Sequence, residues 1–318
     1  MALVSLRLVS RATCLANLNY YSKNARLSGV FFMFNSYEVL ENTRMKFKDK
    51  TIDLTSPTVM GILNVTPDSF SDGGQFSLLD NALIHAERMV SEGATFIDIG
   101  GESTRPGADA VGEDEELSRV IPVIERLNRN VDCVISIDTS KAVVMCEAVK
   151  AGAALINDVR ALQEPGALQV AAESRVPVCL MHMQGEPRSM QHSPQYGNVV
   201  SDVKAFLQQR AKICEDAGIA TDSILLDPGF GFGKTLAHNF SLLKHLPEIM
   251  QLGYPVLVGM SRKSMIGKLL DRNVDERLAG SISLATIAAQ MRASIIRVHD
   301  VQETSDAVKL VNMLLSVE

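Results

Sequence analysis

The sequence lacks the features that mark several classes of protein. It has no tryptophan, and no apolar run approaches the roughly 18 residues that a membrane-spanning helix needs. None of its scattered cysteines forms a CxxC pair or a zinc-type spacing; they are Cys14, Cys133, Cys146, Cys179 and Cys214. A membrane span, a zinc site and a disulfide framework are therefore excluded. The cysteines, most of them in apolar segments, are expected to be buried, reduced thiols.

A strong charge of either sign is also absent. The formal net charge of −6 argues against non-specific binding to nucleic acid. A hydrophobic content of 46% is ample for a packed core. We therefore expect a folded protein with neither nucleic acid nor membrane as a partner.

Acidic residues are missing from the first part of the chain, up to Glu38, while basic residues such as Arg7 and Arg26 are present. This composition resembles an organellar transit peptide. In the alternative interpretation Met45 is the natural start and residues 1–44 are upstream sequence. We favour it, because transit-like composition is a weak signal. Residues 1–44 are predicted to be an extension and residues 45–318 the catalytic domain. The location is then cytoplasmic, or mitochondrial if the leader is a true transit peptide.

One pattern recurs eight times from residue 58 onwards: a short apolar run that ends in a polar loop. The first case is TVMGILNVTPDSFSDGG, residues 58–74, and helix-like segments such as 78–92 and 277–291 separate the later ones. Strand then helix, eight times over, predicts an α/β protein with a single (β/α)8 barrel, which typically takes about 250 residues. In that fold the carboxyl ends of the strands meet on one face, which carries the active site.

The glycine-rich segment GFGFGKT, residues 229–235, is not a nucleotide-binding loop. A phosphate-binding P-loop would need glycine at position 228, where this chain has Pro228. The dinucleotide pattern fails too, since its third glycine comes one residue early. We expect the glycines to let the backbone pass close to a flat ligand, with Phe230 or Phe232 stacking on it.

Four polar residues end buried strands: Asp98, Asp138, Asn157 and Asp227. A buried carboxylate or amide costs free energy unless it has a partner, so each of them alone is also compatible with an internal polar network. Together they match a nitrogen-rich heterocycle, because carboxylates accept from ring N–H and amino groups while an amide both donates and accepts. They predict a site for a pterin- or purine-like ring.

Cationic residues follow strands on the same face: Arg105, Lys263, Arg297 and His299. Barrels of this kind commonly bind phosphate near their seventh and eighth strands, where Ser261 also lies. A phosphorylated leaving group is therefore expected there, and Asn64 at the end of the first strand is a suitable oxygen ligand for Mg²⁺. His182 ends a strand but has no evident partner, so it is left out of the predicted site.

The chain resembles the dihydropteroate synthases through eight motifs, which in order are NVTPDSFSDGG, DIGGESTRPGA, SIDTSK, INDV, MHMQG, LDPGFGFGK, GMSRKS and RVHDV. The resemblance runs from about Val59 to Val301, essentially the whole predicted barrel. It implies a transferase of folate biosynthesis that condenses 6-hydroxymethyl-7,8-dihydropterin pyrophosphate with p-aminobenzoate to 7,8-dihydropteroate and pyrophosphate. It further implies a homodimer that uses Mg²⁺ and is the target of sulfonamides.

The resemblance also implies roles for individual residues. Those of the pterin pocket are Asp138, Asn157, Asp227 and Lys263. Those of the anion site are Arg297 and His299, and Thr104 and Arg105 belong to the loop after the second barrel strand. Asn64 is the implied Mg²⁺ ligand. Those around p-aminobenzoate are Phe70, Pro106, Phe232 and Ser261. The expected catalytic residues are Asn64, Arg105, Asp138 and Lys263.

The implied chemistry is transfer at the pterin methylene carbon. Pyrophosphate departs with the help of Mg²⁺ and the cationic groups, and the aniline nitrogen then attacks. Two alternatives stay open. A corrinoid-linked methyltetrahydrofolate methyltransferase shares a pterin-binding barrel but would not need STRPG and SRKS as anion sites. A non-catalytic pterin-binding barrel would not need the residues that bind pyrophosphate.

Overall fold

Ten strands and ten α-helices make up the part of the chain that the computed structural model describes, which is residues 44–65, 75–103, 111–185, 190 and 194–317. The strands are β1 Arg44–Phe47, β2 Lys50–Asp53, β3 Thr58–Asn64, β4 Phe96–Gly100, β5 Val134–Asp138, β6 Leu155–Asp158, β7 Val178–Met181, β8 Ile224–Asp227, β9 Leu257–Val258 and β10 Ile295–Val298. The helices are α1 Gln75–Ser91, α2 Glu113–Asn130, α3 Ala142–Ala151, α4 Ala167–Ser174, α5 Val199–Asp216, α6 Leu236–Lys244, α7 Leu246–Met250, α8 Ser264–Leu270, α9 Leu278–Gln290 and α10 Val301–Ser316.

The strands β3 to β10 form a parallel sheet that curls into a barrel. Their order is β8-β7-β6-β5-β4-β3-β10-β9, so the last strand of the chain pairs with the first strand of the barrel. A parallel bridge between Leu226 in β8 and Val256, just before β9, completes the ring. The helices lie between successive strands, and the predicted (β/α)8 fold is confirmed.

The predicted helices are present, with ends that differ by a few residues from the expected ones. The four short helices α4, α6, α7 and α8 had no predicted bounds, because segments of this length give a weak periodic signal. Asn198 caps α5 by accepting hydrogen bonds from the backbone N–H groups of Val200 and Ser201. Among the described residues, no helix has both the length and the apolar character that crossing a membrane requires.

Two apolar layers hold the barrel together, since side chains on a strand alternate between its two faces. The outer layer lies between strands and helices and includes Ile97, Ile99 and Ile124. The inner layer fills the amino-terminal half of the barrel. Its strand residues are Met60, Phe96, Val134, Ala154, Leu155, Cys179, Leu225, Leu257 and Ile295.

A hairpin formed by β1 and β2 closes the amino-terminal end of the barrel, and it was missed in the sequence. Met45 and Phe47 alternate with exposed lysines and point into the inner layer, where they are 1% and 0% exposed. The Phe47 ring packs edge-on against Phe96, with 5.0 Å between ring centroids. With this end filled by side chains, the opposite end is left for ligands.

The hairpin sharpens the prediction about the natural start. A chain shortened to begin at Met45 keeps both buried side chains and is expected to retain full activity and thermal stability. A chain that begins at Lys50 loses both and is expected to be destabilised by at least about 3–5 kcal/mol, the typical cost of deleting one buried Phe side chain. Thermal unfolding of the two shortened chains beside the full one measures this. A large loss in the Met45 chain would show that residues 1–44 belong to the fold.

Positions 1–43 lie outside the described residues, so the extension stays a prediction.

Candidate active site

Polar residues at the carboxyl ends of adjacent strands lie side by side in the sheet. The strand register places Asn64 opposite Gly100, Gly100 opposite Asp138, and Asp138 opposite Asn157. A Cβ atom at Gly100 would lie 3.7 Å from Asn64 Oδ1 and 3.8 Å from Asp138 Cβ. The missing side chain therefore leaves a gap, with the predicted metal ligand on one side and the predicted pterin ligand on the other.

Arg297 joins two carboxylates within the barrel. Its Nε donates to Asp98 Oδ2 at 2.6 Å and its Nη2 donates to Asp138 Oδ2 at 2.7 Å. Asn157 Nδ2 donates to the same Asp98 oxygen at 3.0 Å, which leaves the amide oxygen of Asn157 as an acceptor. Burial opposes the charge of the guanidinium, but the two carboxylates outweigh it and raise the pKa of Arg297. Arg297 therefore stays cationic and orients Asp138.

Asp98 lies beneath this network and is fully buried. Its Oδ2 accepts from Arg297 Nε and from Asn157 Nδ2. Its Oδ1 has no hydrogen-bond partner among the described residues. Burial raises the pKa of Asp138, and the charge of Arg297 acts against that rise. The base of the site is thus a chain of two carboxylates, one guanidinium and one amide.

Asp227 and Lys263 form the other side of the site. The backbone N–H of Gly229 donates to Asp227 Oδ1 at 2.6 Å. Lys263 Nζ donates to the carbonyl oxygen of Phe230 and lies 4.4 Å from the centre of the Phe232 ring. Burial lowers the pKa of Lys263 to about 8, although the Asp227 carboxylate raises it. At neutral pH this lysine is therefore largely a cation, which donates to a carbonyl and lies over an aromatic face.

These groups line a single cleft at the carboxyl ends of the strands. Its lining residues are Asp138, Asn157, Val159, Met181, Asp227, Phe232, Gly259, Lys263 and Arg297. Acceptor oxygens and cationic donors thus converge with apolar and aromatic side chains, as in a site for a flat, polar ring. All four residues predicted for the pterin pocket meet here.

Ser261 and His299 lie next to each other at the ends of β9 and β10. Ser261 Oγ is 3.1 Å from His299 Nδ1, and the His299 backbone N–H donates to the same hydroxyl at 3.2 Å. Arg262, which has a left-handed φ of +55°, pairs with both oxygens of the Asp300 carboxylate. This pair ties the two strand ends together. The role of Ser261 and His299 in binding an anion stays a prediction.

A family model described as pterin binding enzyme matches residues 60–299. The chain is 59% identical to dihydropteroate synthase of Haemophilus influenzae over 262 residues, which are 82% of this chain and 95% of the relative. The chain belongs to the dihydropteroate synthase family. The family and the function expected from the sequence are therefore confirmed, and the protein is a transferase of folate biosynthesis.

Solved structures of other dihydropteroate synthases are similar over the whole barrel. One is the Yersinia pestis enzyme in complex with a sulfonamide drug. It has a TM-score of 0.83 and 57% identity, and the match covers 86% of this chain and 100% of that one. Another is the Xanthomonas albilineans enzyme with 4-aminobenzoic acid, with a TM-score of 0.82 and 50% identity over 87% of this chain and 99% of that one.

Two of the glycines after β8 in this synthase, Gly229 and Gly233, approach protein backbone. A Cβ atom at Gly229 would lie 1.9 Å from the carbonyl oxygen of His182, and one at Gly233 would lie 2.3 Å from that of Gln184. The expectation that these two glycines accommodate a flat ligand is therefore wrong; they accommodate the chain that follows β7. Phe230 is fully buried, and of the two phenylalanines only Phe232 lines the cleft.

Lys234 and His182 were missed in the sequence. Lys234 is 3% exposed, and its Nζ lies 3.0 Å from His182 Nδ1. The partner that His182 lacked in the sequence is thus a residue 52 positions later in the chain. Their only sequence signal is a lysine directly after a glycine-rich loop and a histidine directly after a strand.

Four predicted residues of the synthase lie outside the described residues: Phe70, Thr104, Arg105 and Pro106. Within the described ranges, no group of three or more His, Cys, Asp or Glu side chains could hold a metal ion. The predicted metal ligand Asn64 offers a single amide oxygen.

Proposed function

We propose that the cleft binds the dihydropterin pyrophosphate, and that the enzyme condenses it there with p-aminobenzoate. The observation that carries the proposal is the meeting of Asp138, Asn157 and Asp227 with Lys263 and Arg297 in one cleft. The carboxylate oxygens can accept hydrogen bonds from the N–H and amino groups of a pterin, and Lys263 can donate to its carbonyl oxygen. The complex of a related synthase with 4-aminobenzoic acid supports the second substrate.

In this proposal the reaction takes place at the methylene carbon of the pterin. The bond from that carbon to the pyrophosphate oxygen breaks, and its electron pair leaves with pyrophosphate. The carbon then forms a bond to the aniline nitrogen of p-aminobenzoate, and this nitrogen loses a proton. Asp138 stabilises the positive charge that the ring gains as pyrophosphate departs. Arg297 holds the Asp138 carboxylate at 2.7 Å, so little reorganisation is needed when that charge develops.

The second substrate is proposed to lie against Phe232 and Ser261. Phe70 and Pro106, outside the described residues, would complete its surroundings. Thr104 and Arg105 would act with Arg297 and His299 on the pyrophosphate. Sulfonamides would occupy the place of p-aminobenzoate, as the sulfonamide complex of the Yersinia pestis enzyme suggests for this chain.

Asn64 fits the role of a Mg²⁺ ligand. Mg²⁺ is usually bound through one or two protein oxygens, while substrate phosphates and water supply the remaining ligands. One amide oxygen beside the Gly100 gap therefore suffices, and a cluster of carboxylates is not required. When bound, Mg²⁺ would supply positive charge to the leaving pyrophosphate.

Replacing Asn64 with alanine is expected to weaken the binding of Mg-pyrophosphate about tenfold, which is about 1.4 kcal/mol. The binding of a pterin without phosphate should hardly change, because its ligands are elsewhere in the cleft. Calorimetric titrations with each ligand measure both effects, and Asn130→Ala at an exposed helix end serves as control. Unchanged affinity for Mg-pyrophosphate would remove Asn64 from the metal site.

The proposed reaction is tested by incubating the purified chain with both substrates and Mg²⁺. Dihydropteroate and pyrophosphate should form in equal amounts, and formation should stop when the metal is chelated. Pterin binding without turnover, or methyl transfer from methyltetrahydrofolate, would contradict the proposal.

We also propose that the chain forms a homodimer in the cytoplasm. Helices α9 and α10 pack against each other. With α8, they carry a set of exposed apolar residues: Leu269, Leu270, Leu278, Ile287, Leu310, Met313 and Leu314. A second copy of the chain, as the family resemblance implies, is proposed to cover exposed apolar residues of these helices. A monomer mass in equilibrium sedimentation would contradict the dimer.

A further inference from the structure

A buried lysine beneath the cleft has no part in the proposed chemistry. Lys234 Nζ is 2.8 Å from the carbonyl oxygen of Gly229, 2.9 Å from that of Phe232, and 3.2 Å from that of His182. Together with His182 Nδ1, these partners surround the amino group with acceptors. Burial lowers the pKa of Lys234 well below its usual value, and Asp227 acts against the decrease. A buried amino group is costly, and here its partners offset that cost.

Two of the three carbonyls that Lys234 binds belong to one tight turn, Gly229–Phe232. The backbone N–H of Phe232 donates to the Gly229 oxygen at 3.1 Å, and Gly231 between them has φ +83°, as the third residue of a type II turn requires. Asn239 Oδ1 accepts from the Gly231 N–H at 2.7 Å. Lys234 thus binds the first and last carbonyls of the turn, and the carbonyl of Phe230 is left to face Lys263.

His182 connects this turn to the end of β7. Its ring packs edge-on against Phe206, with 4.9 Å between the ring centroids. Burial and, to a smaller extent, the neighbouring Lys234 together lower the pKa of His182 to about 3. The ring is therefore neutral at physiological pH and offers Nδ1 as an acceptor. Tyr196, which also lies beside the histidine, donates to the Gly233 carbonyl at 2.8 Å. The loops after β7 and β8 are therefore joined through Lys234.

We propose that Lys234 is a positioning residue: it holds the Gly229–Phe232 turn against His182 and thereby places the Phe230 carbonyl and the Phe232 ring around Lys263. The proposal rests on the proposed function of the cleft, because Lys263 and Phe232 are its assigned contacts to the two substrates. Asn64 lies outside the turn and does not depend on it.

Replacing Lys234 with methionine keeps an unbranched side chain, one atom shorter, and removes all the hydrogen bonds of the amino group. We expect the KM for p-aminobenzoate and the Kd for a pterin to rise at least tenfold. The affinity for Mg-pyrophosphate should stay within twofold, a contrast that general damage to the fold would not produce. Lys244→Met, at an exposed position of α6, is the matched control.

The reactivity of Lys263 gives a readout that needs no turnover. Competitive acetylation over a range of pH, read by mass spectrometry, should show a transition near the pKa of about 8 in the wild type. In Lys234→Met the transition should move upward towards that of an ordinary lysine, because a loosened turn admits water and relieves desolvation. A wild type that forms no dihydropteroate would overturn the proposed function, while this labelling would still test the positioning.

Variants of His182 test the same connection if Lys234→Met does not fold. His182→Asn keeps an acceptor near the position of Nδ1 and should retain near-normal kinetics and labelling. His182→Leu removes it and should reproduce part of the Lys234→Met effect. The proposal would be overturned if Lys234→Met had the kinetics and the Lys263 labelling of the wild type. If Lys234→Met does not fold, the same result in His182→Leu would overturn it.

Discussion

Replacement of Asp227 with asparagine is expected to lower kcat/KM for dihydropteroate formation by about 10²- to 10³-fold with the fold intact. Asn retains an oxygen that accepts from the Gly229 N–H, so the turn after β8 keeps its anchor. The variant loses the negative charge and the second acceptor. Two hydrogen bonds from a substrate to a charged group are together worth about 3–4 kcal/mol, and each 1.4 kcal/mol is about tenfold.

The same substitution should also change the pH dependence. Because the Asp227 carboxylate raises the pKa of Lys263, its loss lowers that pKa below about 8. If the cationic form of Lys263 is the active one, the alkaline limit of the residual activity moves to lower pH. Steady-state kinetics from pH 6 to 9 and calorimetry with a pterin measure both effects, and Asp222→Asn, at an exposed position before β8, is the control. Pterin binding equal to wild type would show that Asp227 is not a ligand of the ring.

Replacement of Arg297 with methionine is expected to abolish measurable activity and to lower the free energy of unfolding by about 3–5 kcal/mol. Removing one member of a buried ion pair leaves its partners as uncompensated charges. Here two carboxylates, Asp98 and Asp138, lose the guanidinium at once. Arg272→Met, at an exposed position, is the control for loss of one positive charge.

The stability loss in Arg297→Met should depend on pH. Burial already raises the pKa of Asp138, and without the opposing charge of Arg297 that pKa rises further, so the folded state of the variant binds more protons around neutral pH. Stability then falls as pH rises from the unfolded pKa, about 4, through the raised folded pKa of Asp138. The deficit relative to wild type should be smaller at pH 5 than at pH 8 in urea unfolding. Adding Asp138→Asn removes one charge and should recover part of the loss. A deficit independent of pH would show that packing, not charge, is what Arg297 supplies.

Much of the site was predictable because parallel strands carry their chemistry at one end. Each short apolar run marks a strand and each polar residue after it marks the ligand-binding face, so Asp138, Asn157 and Asp227 followed from the pattern. The motifs around Asn64 and Lys263 then identified the family. The hairpin at the other end of the barrel was missed, although the alternation of Met45 and Phe47 with lysines indicates a strand.

The amino-acid sequence by itself determined the barrel, the family and the residues assigned to the pterin pocket, because those depend on local periodicity and on motifs within single loops. Only the tertiary structure decided which of these side chains are partners. Arg297 and Asp98 are 199 residues apart in the chain, and Lys234 and His182 are 52 apart. Such pairs form when closure of the barrel brings strand ends together. The local sequence around either residue does not indicate which distant residue will be its partner. For the same reason only the structure showed that Gly229 and Gly233 make room for a neighbouring backbone, not for a substrate.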